Sequence, residues 1–213
     1  MSCDFSLAHY GELLASARAG GYRFAGFDRP PRTGDLLLRH DVDLSLEAAV
    51  ELAELEAEVG AFSTWFLMTR SAFYNLDSPS GARALAQIRS LGGRIAHHAV
   101  WPDVDLDARF EPVVAWHNPE PAYMSAAIAG AENVMAPPWF DPAHYRSDSN
   151  QRWRHGCPHA ELARSDFEWL QLLVHPEIWA YPGETMGETM ESFLDADRAH
   201  RRTLLQADRI DLS

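Results

Sequence analysis

The sequence predicts an α/β protein with a parallel sheet, folded as one domain over residues 1–213. Three observations predict it. Short apolar runs of strand length alternate with longer stretches of helical period, and that alternation lays parallel strands side by side with crossovers between them. Glycine and proline turns separate the segments. Asp and His recur directly after the apolar runs, where the carboxyl ends of parallel strands gather on one rim.

The elements follow in order. Leu7 to Arg18 reads as an amphipathic helix, with Leu7, Tyr10, Leu13, Leu14 and Ala17 near helical spacing, and Gly20-Gly21 stops it. Tyr22 to Phe27 alternates as a short strand, and Arg29-Pro30-Pro31-Arg32-Thr33-Gly34 is a turn. Leu36-Leu37-Leu38 is the run expected of a strand buried on both faces, and it leads into His40-Asp41-Val42-Asp43. Ser45 is a good N-cap for a helix from Leu46 to Val59, which Gly60 ends. Ala61 to Met68 is the next strand, Ser80 to Leu91 the next helix, and Arg94 to His97 a third strand after Gly92-Gly93. Further strands are expected at Val113–His117, Val134–Ala136, Tyr145–Ser147 and Leu170–His175, with a closing helix from Gly183 to about Gln206. No internal repeat, low-complexity tract or linker interrupts the pattern.

Composition narrows the function. Apolar residues make up 46% of the chain, ordinary for a globular protein, and no run approaches the length of a bilayer span. A formal net charge of -13 disfavours nucleic acid and anionic membranes as partners. All 18 basic residues are arginine, so lysine chemistry such as a Schiff base is excluded. Cys3 and Cys157 are too few for a disulfide framework, which makes a reducing compartment the expectation. The first residues lack a basic segment followed by an apolar run, so no secretory leader is expected and the location reads as cytoplasmic.

The candidate chemistry lies at the strand ends. Asp41 and Asp43 follow the first buried strand, His97 and His98 the third, and His117, Asp148 and His175 later ones. Asp41 and Asp43 are two apart and share a face in extended chain, so one can hold a metal while the other sits beside it as a base. Asp with His suits zinc or a similar divalent ion, which activates water near neutral pH. Each signal has a plainer reading: Asp43 can cap the helix near Ser45, and a single strand-end histidine is more often structural than ligating. Carboxylates and histidines on several separate strands favour the metal.

These residues resemble motifs of the polysaccharide deacetylase-like, or NodB-homology, superfamily. Leu38-Arg39-His40-Asp41-Val42-Asp43 is similar to its Asp-x-Asp motif, and Ala61 to Leu67 to the strand that follows. Phe73-Tyr74-Asn75, Gly92 to His98 and Trp116-His117-Asn118-Pro119 resemble segments of one branch, and Leu173-Val174-His175-Pro176-Glu177 the final motif. The resemblance implies a distorted (β/α) barrel of about seven strands and metal-assisted removal of an N-acetyl group from a sugar. It implies Asp41 as general base, Asp43 and His98 as metal ligands and His175 as the acid for the departing amine. Arg39 or Arg70 would keep Asp41 ionised, and Trp101, Trp116, Trp139 or Trp179 would offer a face to a sugar.

Two features depart from the pattern. The superfamily's spaced histidine pair is absent, and Gly93 stands where the branch has its first histidine, so the third ligand is assigned to His117 with His97 as fallback. The short segment from His98 to His117, containing Pro102, Asp103, Asp105 and Asp107, hardly holds a crossover helix, so the barrel is expected to be open or to lack one unit. The expected function is therefore a divalent-metal hydrolase, with zinc as the expected ion, acting on a carbohydrate, nucleotide sugar or lipid-linked precursor. The alternatives are a barrel without catalysis that binds a carbohydrate or a partner, and a hydrolase of another C–N bond.

Overall fold

Strand β2 (Asp35–Val42) is buried along its whole length, and its two faces do different work. Side chains alternate across a strand. Leu36, Leu38 and Val42 point into a large core shared with the helices, and Leu37 into a smaller core with Phe27, Phe66, Ala96, Ala115 and Trp139. Arg39 and Asp41 fall in the same alternate set as Leu37, whereas His40 falls with the helix-facing residues.

The computed structural model describes residues 3–101 and 104–210; Met1, Ser2, Pro102 and Asp103, which entered the readings of the N-terminus and of the short segment, lie outside them. Along the chain, α1 (Leu7–Ala19) precedes β1 (Arg23–Phe24) and β2; α2 (Leu46–Val59), β3 (Ser63–Leu67), α3 (Pro79–Ser90) and β4 (Arg94–Ala99) follow. Then come β5 (Val113–Trp116), β6 (Glu132–Asn133), β7 (Tyr145–Ser147), α4 (His159–Ala163), β8 (Leu170–Val174), α5 (Pro176–Ala180) and α6 (Met186–Ala207).

The strands form one curled, parallel sheet in the order β6-β5-β4-β3-β2-β8-β7, with β1 beside the start of β2. Read from β7, this is the chain order closed into a circle at the β8–β2 pair and broken between β6 and β7. It is a barrel order that does not close. Among the described residues, no α-helix links β4 to β5, β5 to β6 or β6 to β7. The missing helices all lie on the side of the break, so the expected trimming reaches beyond one unit.

Local sequence explains the remaining helices. Ser45 accepts a hydrogen bond from the Ala48 amide at 3.1 Å and caps α2. Gly60 ends α2 in the left-handed region at φ 65°, where a side chain would be strained. Thr185 and Glu188 form a reciprocal capping box at the start of α6, two residues later than the glycine from which the sequence reading began that helix. The strand expected at Tyr22–Phe27 contracts to Arg23–Phe24, and that at Val134–Ala136 shifts to Glu132–Asn133. Helices α4 and α5 were not foreseen: each has only five residues, too few to show a period.

His40 is the polar exception on the helix-facing side of β2. Its ring stacks on Trp65 with centroids 3.9 Å apart, and its Nε2 lies 2.5 Å from Glu56 Oε1. Tyr10 donates to the same oxygen at 2.5 Å, and Ser63 donates to Glu56 Oε2 at 2.5 Å. One buried carboxylate from α2 thus ties α1, β2 and β3 together. Glu56→Ala leaves these partners buried without it and is expected to cost about 3–5 kcal/mol. Urea unfolding measures this; a loss under about 0.5 kcal/mol would show that the network does not hold these elements together.

Candidate functional site

The inner face of β2 climbs from Leu37 through Arg39 and Asp41 to Asp43, each step about 6.6 Å along the strand. Arg39 grips Asp41 with two bonds, Nε to Oδ1 at 2.7 Å and Nη2 to Oδ2 at 2.6 Å, and both residues are buried. Arg39 Nη1 donates to Gln171 of β8 at 3.2 Å, and the guanidinium lies over the Phe66 ring. Gln171 in turn donates to the carbonyls of Val134 and Trp139. Burial alone would push the Asp41 carboxyl up, but the Arg39 charge outweighs it and holds the group below the ordinary carboxylate range. Arg70 does not share this role: it is a surface residue paired with Asp105.

Asp43 meets two histidines. Its Oδ1 lies 2.9 Å from His98 Nε2 and 3.1 Å from His117 Nδ1. Asp43 Oδ1 and His98 Nε2 are buried and make no hydrogen bond. The other His98 nitrogen, Nδ1, lies 3.2 Å from the Ala115 carbonyl oxygen. An Nδ1–H donated there leaves the Nε2 lone pair turned towards Asp43, as in histidines that ligate metals. Donor atoms of the three residues all lie within 4.8 Å of one another. Ligands about 2.0–2.1 Å from a tetrahedral zinc stand about 3.3 Å apart, close to the spacings seen. Asp43, His98 and His117 can therefore hold a metal ion. Asp41 Oδ2 stands 3.8 Å from His98 Nε2, beside this point.

The alternation of β4 separates the two adjacent histidines. His98 shares the inner face with Ala96, whereas His97 shares the outer face with Ile95 and sets its ring 5.1 Å from Phe110. The fallback ligand thus belongs to the wrong face. Gly93 precedes the strand, about 16 Å of extended chain below His98. A Cβ there would sit 2.7 Å from Trp65 Nε1 and 2.8 Å from Ile88 Cγ2, so this position has no room for a ligand.

Across the rim, His175 follows β8 and Asp148 follows β7. Asp148 Oδ1 lies 2.6 Å from His175 Nδ1, its carboxylate also accepts from the His175 amide, and Trp179 Nε1 donates to its Oδ2 at 2.7 Å. Burial would lower the His175 ring; the Asp148 carboxylate overrides this and holds it up to about 10, with smaller help from Asp43 and Asp41. The imidazole is therefore protonated at neutral pH.

Three residues given no role by the sequence complete the site. Asp148 was visible as a strand-end carboxylate, but its pairing with His175 requires knowing that β7 lies beside β8. Tyr74 donates to the carbonyl of Val42 at 2.8 Å and so fixes the backbone between the two aspartates. Glu177, in the first turn of α5, is buried with Oε2 unpartnered; burial first, then the Asp43 charge, holds its carboxyl up to about 8. Of the four tryptophans proposed as sugar platforms, Trp116, Trp139 and Trp179 are buried, and Trp101 is 71% exposed.

Comparison of the chain with protein-family models, curated proteins and solved structures gives no significant match. No helix among the described residues is long and apolar enough to cross a membrane.

The His175–Asp148 pair sets a pH dependence. The folded protein holds the imidazole proton more tightly than the unfolded chain, so stability falls as pH rises. In metal-stripped protein the contribution is complete below about pH 6.5, the ordinary imidazole value, and is lost as pH climbs through about 10. Thermal unfolding across this window should show a decline that Asp148→Asn flattens; parallel profiles for the two proteins would contradict it.

Proposed function

We propose that this protein is a divalent-metal hydrolase, with zinc as the ion, that removes an N-acetyl group from an acetamido sugar. The observation that supports it most is the convergence of Asp43, His98 and His117 beside an ionised, arginine-held Asp41. The resemblance to the NodB-homology superfamily supplies the substrate class, and the exposed Trp101 is the one of the four tryptophans with a face free for a sugar ring.

Asp43, His98 and His117 would hold the ion; when bound, it supplies Lewis-acid polarisation of the acetyl carbonyl and acidifies water to a pKa near 7. Asp41 takes a proton from the attacking water. Its pairing with Arg39 makes it a weak base. Arg39 keeps it charged in a site where burial would neutralise it. As the C–N bond breaks, His175 delivers its proton to the nitrogen, which is otherwise a very poor leaving group. Asp148 orients the ring and stabilises its charged form. The products are acetate and an amine.

Asp41→Asn is expected to retain one ion at this site and lose about 10²–10⁴-fold in deacetylation, since the amide keeps the shape but cannot accept the proton. His98→Ala is expected to lose that ion and the activity together. Elemental analysis and acetate release from N-acetylglucosamine-containing oligosaccharides and nucleotide sugars provide the readouts. A metal-loaded protein that hydrolyses no acetamido sugar would refute this reading; turnover of other amides would then mark a different C–N hydrolase, and no turnover at all a binding protein.

His175→Ala separates the acid from the rest. It should lose about 10²–10⁴-fold on an acetamide and much less on an activated acetate ester, whose leaving group departs without full protonation. Equal losses on both substrates would assign His175 a purely structural role.

A further inference from the structure

The chain has two cysteines, far apart in sequence, and the fold brings them together. Cys3, before α1, and Cys157, before α4, join His9 of α1 so that a donor atom from each lies within 4.8 Å of the others. His9 Nε2 is 3.2 Å from Cys157 Sγ. Trp153 Nε1 donates to Cys3 Sγ at 3.3 Å. An indole N–H only donates, so the Cys3 sulfur acts as an acceptor in this bond. His159 stands alongside, its ring centroid 5.4 Å from that of His9.

We propose that Cys3, His9 and Cys157 form a second metal site, taking zinc or another thiophilic divalent ion. Two sulfurs and one imidazole are three of the four donors of tetrahedral zinc sites. The site has an evident task. Among the described residues, 3–6 before α1 form no strand, and the ion staples them to the turn that opens α4. The staple also backs the acid side of the rim. Trp153, bonded to Cys3, sets its ring 6.3 Å from Trp179, and Trp179 carries Asp148, the partner of His175. The site is separate from Asp43, His98 and His117 and shares no ligand with them.

Cobalt(II) distinguishes the two sites, because only this one contains sulfur. The full-length protein, purified with a thiol-free reductant and loaded with cobalt, is expected to show a thiolate-to-metal charge-transfer band in the near ultraviolet. Cys157→Ser and, as a milder change near the terminus, Cys3→Ser should each abolish the band and lower the zinc content by one ion per chain. His98→Ala should keep the band, so failure of the hydrolase reading leaves this measurement intact. Chelation of the His98→Ala protein should lower its melting temperature, and that shift should vanish when Cys157→Ser is added. The absence of a band in a folded wild-type protein with two titratable thiols overturns the proposal. So does a Cys3–Cys157 disulfide, seen as the loss of two hydrogens in the intact mass, that persists under reducing purification.

Discussion

The ion pair between Arg39 and Asp41 constrains everything inside the barrel. Removing two charges from water costs several kcal/mol each, and their attraction recovers this only when the geometry is good and the remaining donors are satisfied. Both conditions are met. The contact is bidentate, and a further guanidinium nitrogen bonds Gln171. Gln171 then spends its amide on the carbonyls of Val134 and Trp139, which lie just after β6, beside the break in the barrel. The pair on β2 is thus held from β8 on one side and from the β6 loop on the other. It also carries a functional constraint: against deep burial, Arg39 is the first cause that holds the Asp41 carboxyl below the ordinary range, with smaller help from His98 and His175.

The two faces of β2 divide stability from chemistry. His40 and Asp41 are adjacent in sequence and equally buried, yet one stacks on Trp65 and bonds Glu56 whereas the other faces the candidate metal centre. A substitution at Glu56 and one at Asp43 should therefore have separable consequences. Effects of residues with no shared partners add, and Glu56 and Asp43 share none of the contacts described above. The fixed alternation of a strand pinned on both sides makes the separation reliable, since a slip of one residue would exchange the two sets completely.

The strand-end logic made much of this legible from sequence. A rim of parallel strands gathers whatever follows each apolar run, so Asp41, Asp43, His98, His117, Asp148 and His175 could be named as candidates without coordinates. What the sequence could not give was the partnership among them. His97 and His98 are equivalent as a pair of letters, and only the register of β4 against β5, which pairs His98 with Ala115, assigns them to faces. Asp148 and His175 are far apart in sequence and meet because β7 pairs with β8. Short elements were lost for another reason: five residues of helix carry too little periodicity to register. Cys3, His9 and Cys157 follow no strand at all, so strand-end reasoning had no means of finding them.

The placement of the two halves of the rim bears on the proposed reaction. The candidate ligands come from β2, β4 and β5, and the protonated His175 comes from β8, on the other side of β2 in the sheet order. Asp41 lies between the two, on the central strand. A carbonyl drawn to the ligand side would place its nitrogen towards His175, with the attacked carbon near Asp41. The order of groups along the sheet then matches the order of atoms along an amide: oxygen, carbon, nitrogen. On the proposed reading the charges would follow the same order, from an ion at Asp43 through the Asp41 carboxylate to the imidazolium paired with Asp148. A site for an ester would need only the first two, because an alkoxide of low pKa leaves unassisted. The third group, maintained in its charged form at the cost of burying Asp148 completely, is what an amine leaving group requires.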